Sequence, residues 1–140
     1  MTPIESRTFL FHVEPLTMNM AYPTGKTGRR YLSKQGKEFK DYIELVTRLS
    51  RKGLSIDPAI HFTRLSISFF SPKFFTTKKA ISKNKPDTSN CIKLLEDGMF
   101  SALGLNDYIS LDFGHVTFRY AERARIEVTL EVFDQALLTI

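Results

Sequence analysis

A chain of 140 residues with 42% hydrophobic residues and 12 phenylalanines is long enough to bury a core within one domain, and no window approaches the roughly 18 apolar residues of a membrane span. A formal net charge of +5 favours a polyanionic partner, while a single cysteine, Cys91, and three scattered histidines exclude an internal disulfide and a zinc site of Cys/His type. The first residues, Glu5 and Arg7 among them, lack the apolar core of a secretory leader, so the expected location is the cytoplasm.

The first predicted element is a strand over residues 7–14, in which Phe9, Phe11 and Val13 alternate with Thr8 and His12 until Pro15 ends it. Residues 16–32 show no period and carry Pro23, Gly25 and Gly28 among basic groups, which marks a long loop. Tyr22 and Tyr31 in it can pack against a sheet or stack on a base. Ser33 is a plausible cap for a helix reaching about Arg51, with Phe39, Tyr42, Ile43, Val46 and Leu49 as its apolar stripe and Gly53 closing it. Residues 59–71 alternate as a strand whose phase slips near Thr63 and Arg64, implying a bulge or burial on both sides at one end. A second irregular basic segment, residues 72–85, holds Phe74 and Phe75, suited to anchoring it or to a subunit contact.

Residues 83–110, KNKPDTSNCIKLLEDGMFSALGLNDYIS, carry the most chemistry. Pro86 bars a helix before it, Asp87, Ser89 or Asn90 can cap one that runs to about Leu103, and Gly104 stops it. At 100° per residue, Cys91, Ile92, Leu95, Met99 and Ala102 share an apolar side, and Asn90, Lys93, Leu94, Asp97 and Ser101 share the other. Asp107 follows in a turn that leads into a strand over residues 108–118, with a slip near Gly114. Singly, Asp87 reads as a cap, Asp97 as a solvated helix residue and Asp107 as a turn residue. Together they suit a hard, oxygen-ligated cation such as Mg²⁺. The last strand, residues 125–133, alternates cleanly, and antiparallel pairing with its predecessor is the simplest topology.

The run K-P-D-x-x-N-x-x-K, an acid four residues after the lysine, a Gly-terminated helix and an acid-led turn into I-x-L resemble the signature of the RusA-type Holliday junction resolvases. Pro15, Asn19 and Tyr22, followed by residues 28–33 (GRRYLS), resemble that family's N-terminal loop. The fold read from the elements and implied by the resemblance is α+β: a single domain, residues 1–140, with a mixed sheet of about four strands in the order β-α-β-α-β-β and two helices packed on it. The implied activity is cleavage of four-way or branched DNA by paired nicks. On this reading Asp87 and Asp107 hold Mg²⁺, with Mn²⁺ as a substitute, and Asp97 is a third ligand or a base. Lys93 neutralises charge on the scissile phosphate, and Asn90 orients a carboxylate.

Lys26, Arg29, Arg30, Lys34, Lys73, Lys78, Lys79, Lys83 and Lys85 are the expected DNA contacts. A junction has two-fold symmetry, so the resemblance also implies a homodimer, from a bacterium or a phage acting in its host's cytoplasm. The sequence departs from the family pattern at two positions, Ser89 and Asn106, where acids are usual. A relative that binds junctions with weak or no cleavage is therefore the alternative.

Overall fold

The computed structural model describes residues 1–78, 80–83, 85 and 89–139, and of Ser89 the backbone only. Asp87, read as a cap or metal ligand, and Lys79, read as a DNA contact, lie outside the described residues.

The strand with the cleanest alternation is the centre of the sheet. In β4 (Arg125–Asp134) the side chains of Ile126, Val128, Leu130 and Val132 are fully buried, and this strand is hydrogen-bonded on both edges. It runs antiparallel to β1 (Glu5–Phe11) on one side and to β2 (His61–Phe70) on the other. The fourth strand, β3 (Ser110–Arg119), pairs with β2 in parallel, giving the order β1-β4-β2-β3.

The expected hairpin between the last two strands therefore does not form. A strand apolar along its whole inner face finds most burial between two partners. β3, with Leu111 and Phe113 exposed, takes the edge. Phe70 at the end of β2 is paired with both Arg119 and Arg125, so residues 120–124 pass over that strand end. The gap is only two strand spacings, about 10 Å. The expected slips are real: the β2–β3 register shifts between Thr63 and Arg64 and again beside Gly114, and Phe62 and Thr63 are both buried.

Helix α2 (Lys34–Ser50) begins where its cap predicts, with the Ser33 hydroxyl accepting from Gly36 N. Its buried stripe is Gly36, Phe39, Ile43 and Thr47; Leu49, expected on it, is 74% exposed. The steps of three, four and four from Gly36 set the face that meets the core, and Leu49 falls beyond it. Helix α3 (Ser89–Leu103) packs along α2, and a Cβ built on Gly98 would sit 2.9 Å from Ile43 Cγ2, so that glycine lets the two helices approach. Gly104 ends α3 with φ +70°. Leu94, assigned to the polar side, is fully buried in the same core cluster as Cys91, Leu95 and Met99, so α3 buries a wider arc than one stripe.

The loops hold more structure than their composition suggests. Residues 16–32 contain a one-turn helix α1 (Met18–Ala21), capped by Thr17 and pressed onto α2 where a Cβ on Gly36 would meet Ala21 O at 2.8 Å. A bridge between Thr24 and Arg30 follows. The described part of 72–85 folds back on itself through a Phe75–Ile81 bridge. Phe74 packs edge-on to Phe118 and Phe75 edge-on to Tyr120, which is the anchoring role read for them.

Candidate active site

Three of the residues singled out in the sequence meet at one point. Lys93, one turn into α3, puts its ammonium 2.7 Å from Asp107 Oδ2 and 3.1 Å from Asp97 Oδ1. Asp97 is there because it lies four residues on, one helical turn along the same face. Asp107 is there because the chain reverses at Gly104 and enters a short 3-10 turn, Asp107–Ile109, before β3. Asn106 caps that turn, its side-chain oxygen accepting from Tyr108 N at 3.2 Å. Asn106 thus fixes the backbone beside Asp107 and has its oxygen engaged.

A fourth group belongs to the cluster. Glu96 is the one charged residue among the described residues that is buried, and one of its oxygens lies 3.9 Å from the Lys93 ammonium. The Ser110 hydroxyl donates to its other oxygen at 2.8 Å. Sequence reasoning missed it because at about 100° per residue Glu96 falls on the border between the two sides of α3. The signal was a second acid directly beside Asp97, three residues after Lys93.

The electrostatics follow from these contacts. The Asp107 and Asp97 carboxylates push the Lys93 ammonium well above the ordinary lysine range, so it is charged throughout the physiological span. Burial pushes the Glu96 carboxyl upward, and the Ser110 hydroxyl and the Lys93 charge partly offset that rise. Asn90 sits half-buried in the first turn of α3. Among the described residues, no three His, Cys, Asp or Glu side chains are placed to hold a metal ion by themselves.

The cluster lies open on the surface, with Lys93 and Asp107 partly exposed. A separate cavity of about 390 Å³, lined by Val13, Glu14, Phe39, Tyr42 and Phe74 among others, shares no residue with it. An open cluster of alternating charge can receive a polymer backbone.

The expected DNA contacts fall into two groups. Lys26, Arg29, Lys34, Lys73, Lys78 and Lys83 are exposed, on the two folded loops and the start of α2. Arg30 is also exposed, but its guanidinium donates to Tyr22 O at 2.9 Å and to Asn19 Oδ1 at 3.1 Å, so it braces the first loop. The Lys85 ammonium lies over the Phe118 ring, 4.8 Å from its centre. Of the two loop tyrosines, Tyr22 packs against the core, whereas Tyr31 is 53% exposed. None of the three histidines joins the cluster: His61 Nδ1 accepts from Asp57 N at 2.9 Å, His115 lies near Ser68, and His12 offers its backbone N–H to the Tyr42 hydroxyl. No helix among the described residues is long and apolar enough to cross a membrane.

A search of curated proteins returns no match. The pattern of the family described as Endodeoxyribonuclease RusA matches residues 12–131, from the end of β1 to within β4, and so takes in both basic loops and the whole Lys93–Asp97–Asp107 cluster. With that much of its length matched, the chain belongs to the RusA endodeoxyribonuclease family, whose activity is the endonucleolytic resolution of Holliday junctions.

Proposed function

We propose that this chain resolves four-way junctions by paired symmetric nicks in a Mg²⁺-dependent reaction, as a homodimer with one site per protomer, in the cytoplasm of a bacterium or of a phage-infected host. The observation that carries this reading is the convergence of Asp97 and Asp107 on the single ammonium of Lys93, in a chain of a junction-cleaving family. The donor set fits the ion. Two carboxylates already place one oxygen each around a shared positive charge, and Mg²⁺ is commonly held by one or two carboxylates with phosphate and water completing its shell.

Asp107 and Asp97 would hold the cation together with Asp87. When bound, it supplies a Lewis acid for the phosphate and lowers the pKa of an attacking water. Lys93, charged and released from its two carboxylates, neutralises the scissile phosphate, and the exposed lysines and arginines of the two loops bind the flanking strands. Asn90 and Ser89, in the first turn of α3, would orient this set.

The test is a labelled four-way junction and a linear duplex of equal length, each incubated with Mg²⁺, Mn²⁺ or EDTA. Paired nicks on the junction alone, dependent on metal and lowered at least about 100-fold in Asp107→Asn, are the expected result. Asp87→Asn should behave alike while retaining junction binding. A second reading rests on Ser89 and on the engagement of Asn106 in capping its turn, which leave two usual acids absent. Tight junction binding without cleavage under any metal would establish that reading and sink the first.

A further inference from the structure

Glu96 is a buried carboxylate for which the proposed reaction has no use. Taking a charged carboxylate out of water is costly unless it is paired and hydrogen-bonded, and a site that keeps one beside its working groups gains something from it. Its two oxygens are differently placed. Oε2 is tied to the Ser110 hydroxyl at the first residue of β3, which fixes the side chain to the sheet. Oε1 faces the Lys93 ammonium at 3.9 Å, beyond direct hydrogen-bonding distance yet within ion-pair range. Lys93 itself is held by Asp97 and Asp107, the same carboxylates that a cation would engage.

This leaves a question of charge. Once Asp97 and Asp107 turn to a cation, the lysine loses both of its partners while a second positive charge arrives beside it. Repulsion would then drive its flexible four-carbon stem into solvent. Resting on the proposed function, we propose that Glu96, braced by Ser110, is a positioning residue that retains the Lys93 ammonium at the site when Asp97 and Asp107 are engaged by the cation. Glu96 suits this role because it is fixed, buried and the remaining acid within reach of Lys93 among the described residues. The arrangement also bears on Ser89: where the usual acid is absent at that position, Glu96 supplies a carboxylate about two turns further along the same helix.

The experiment is a double-mutant cycle on Lys93→Ala and Glu96→Gln, read in single-turnover cleavage with Mg²⁺ and, separately, by NMR of protein carrying lysine labelled at the ε-carbon. Glu96→Gln preserves shape and the Ser110 contact. It should lower the cleavage rate roughly 10- to 100-fold, the usual loss when an outer partner of a metal site is removed. In the Lys93→Ala background it should add nothing, because the residue acts only through that lysine. During a Mg²⁺ titration without DNA, the Lys93 signal should stay resolved in the wild type and move to the position of solvent-exposed lysines in Glu96→Gln.

Additive effects in the cycle, or identical Lys93 titrations in the two proteins, would overturn the proposal. If Glu96→Gln does not fold, Ser110→Ala replaces it, loosening Glu96 without altering charge, and should give the same defect to a smaller degree. A wild-type protein that cleaves no junction would refute the proposed function instead, and the NMR titration would still decide the role of Glu96.

Discussion

Cys91 shows how much a single position is governed by its surroundings. It is fully buried in the first turn of α3, and burial pushes its thiol from 9.0 to about 11, with the Lys85 ammonium opposing part of the rise. A folded value above the unfolded one stabilises the fold fully below pH 9, and this contribution is lost as the pH climbs through about 11. The loss is roughly 2–3 kcal/mol, at about 1.4 kcal/mol for each unit. Denaturant unfolding of wild type and Cys91→Ala should therefore show a gap that is constant from pH 6 to 8 and narrows above pH 9. The same burial makes the thiol inert: a disulfide reagent at pH 8 should react with it only after unfolding. The cysteine's burial was legible from its place on the apolar side of a helix. The burial of Glu96 was not, because an acid on the border of two helical faces is buried only if a strand happens to offer a hydroxyl, and Ser110 comes from an element 14 residues away.

At the level of elements, the close approaches depend on glycine. A Cβ on Gly36 would meet Ala21 O at 2.8 Å and Ala21 Cα at 2.9 Å, and both are backbone atoms that cannot rotate aside. Gly36→Ala gains about 1 kcal/mol of helix propensity but forces α1 off α2, an overpacking cost of about 1–3 kcal/mol. The second effect should win. The expected result is a net loss of up to about 2 kcal/mol in denaturant unfolding, together with faster amide exchange over residues 18–31. Helices α2 and α3, the Ser33 cap, the Gly104 stop and both β-bulges could be read from local signals, since each is set by residues a few positions apart, whereas the single turn of α1 could not. Strand order could not, because the β4 pattern states only that one face is buried and does not say which strands flank it. The exposure of Leu49 belongs here as well, since it falls off the face on which Phe39, Ile43 and Thr47 are buried.

Over the whole molecule, the charge is carried by loops that α2 and the end of β2 hold in place. Six of the expected contacts, Lys26, Arg29, Lys34, Lys73, Lys78 and Lys83, are exposed. If about six phosphates are neutralised, junction affinity measured in EDTA should fall roughly 10³-fold between 50 and 200 mM salt. A fall of less than about tenfold would place the binding surface elsewhere. The position of β4 has a consequence for how the molecule comes into being. The two strands it joins are made earlier in the chain, yet they cannot be united in one sheet until β4 has been synthesised and inserted between them. On the ribosome, β2 can pair with β3 first, while β1 and the other edge of β2 wait for β4 to close the sheet. Closure of the four-stranded sheet is thus tied to the synthesis of residues 125–134, and a chain that stops short of residue 125 retains both helices' sequences but only the β2–β3 pair for them to pack against.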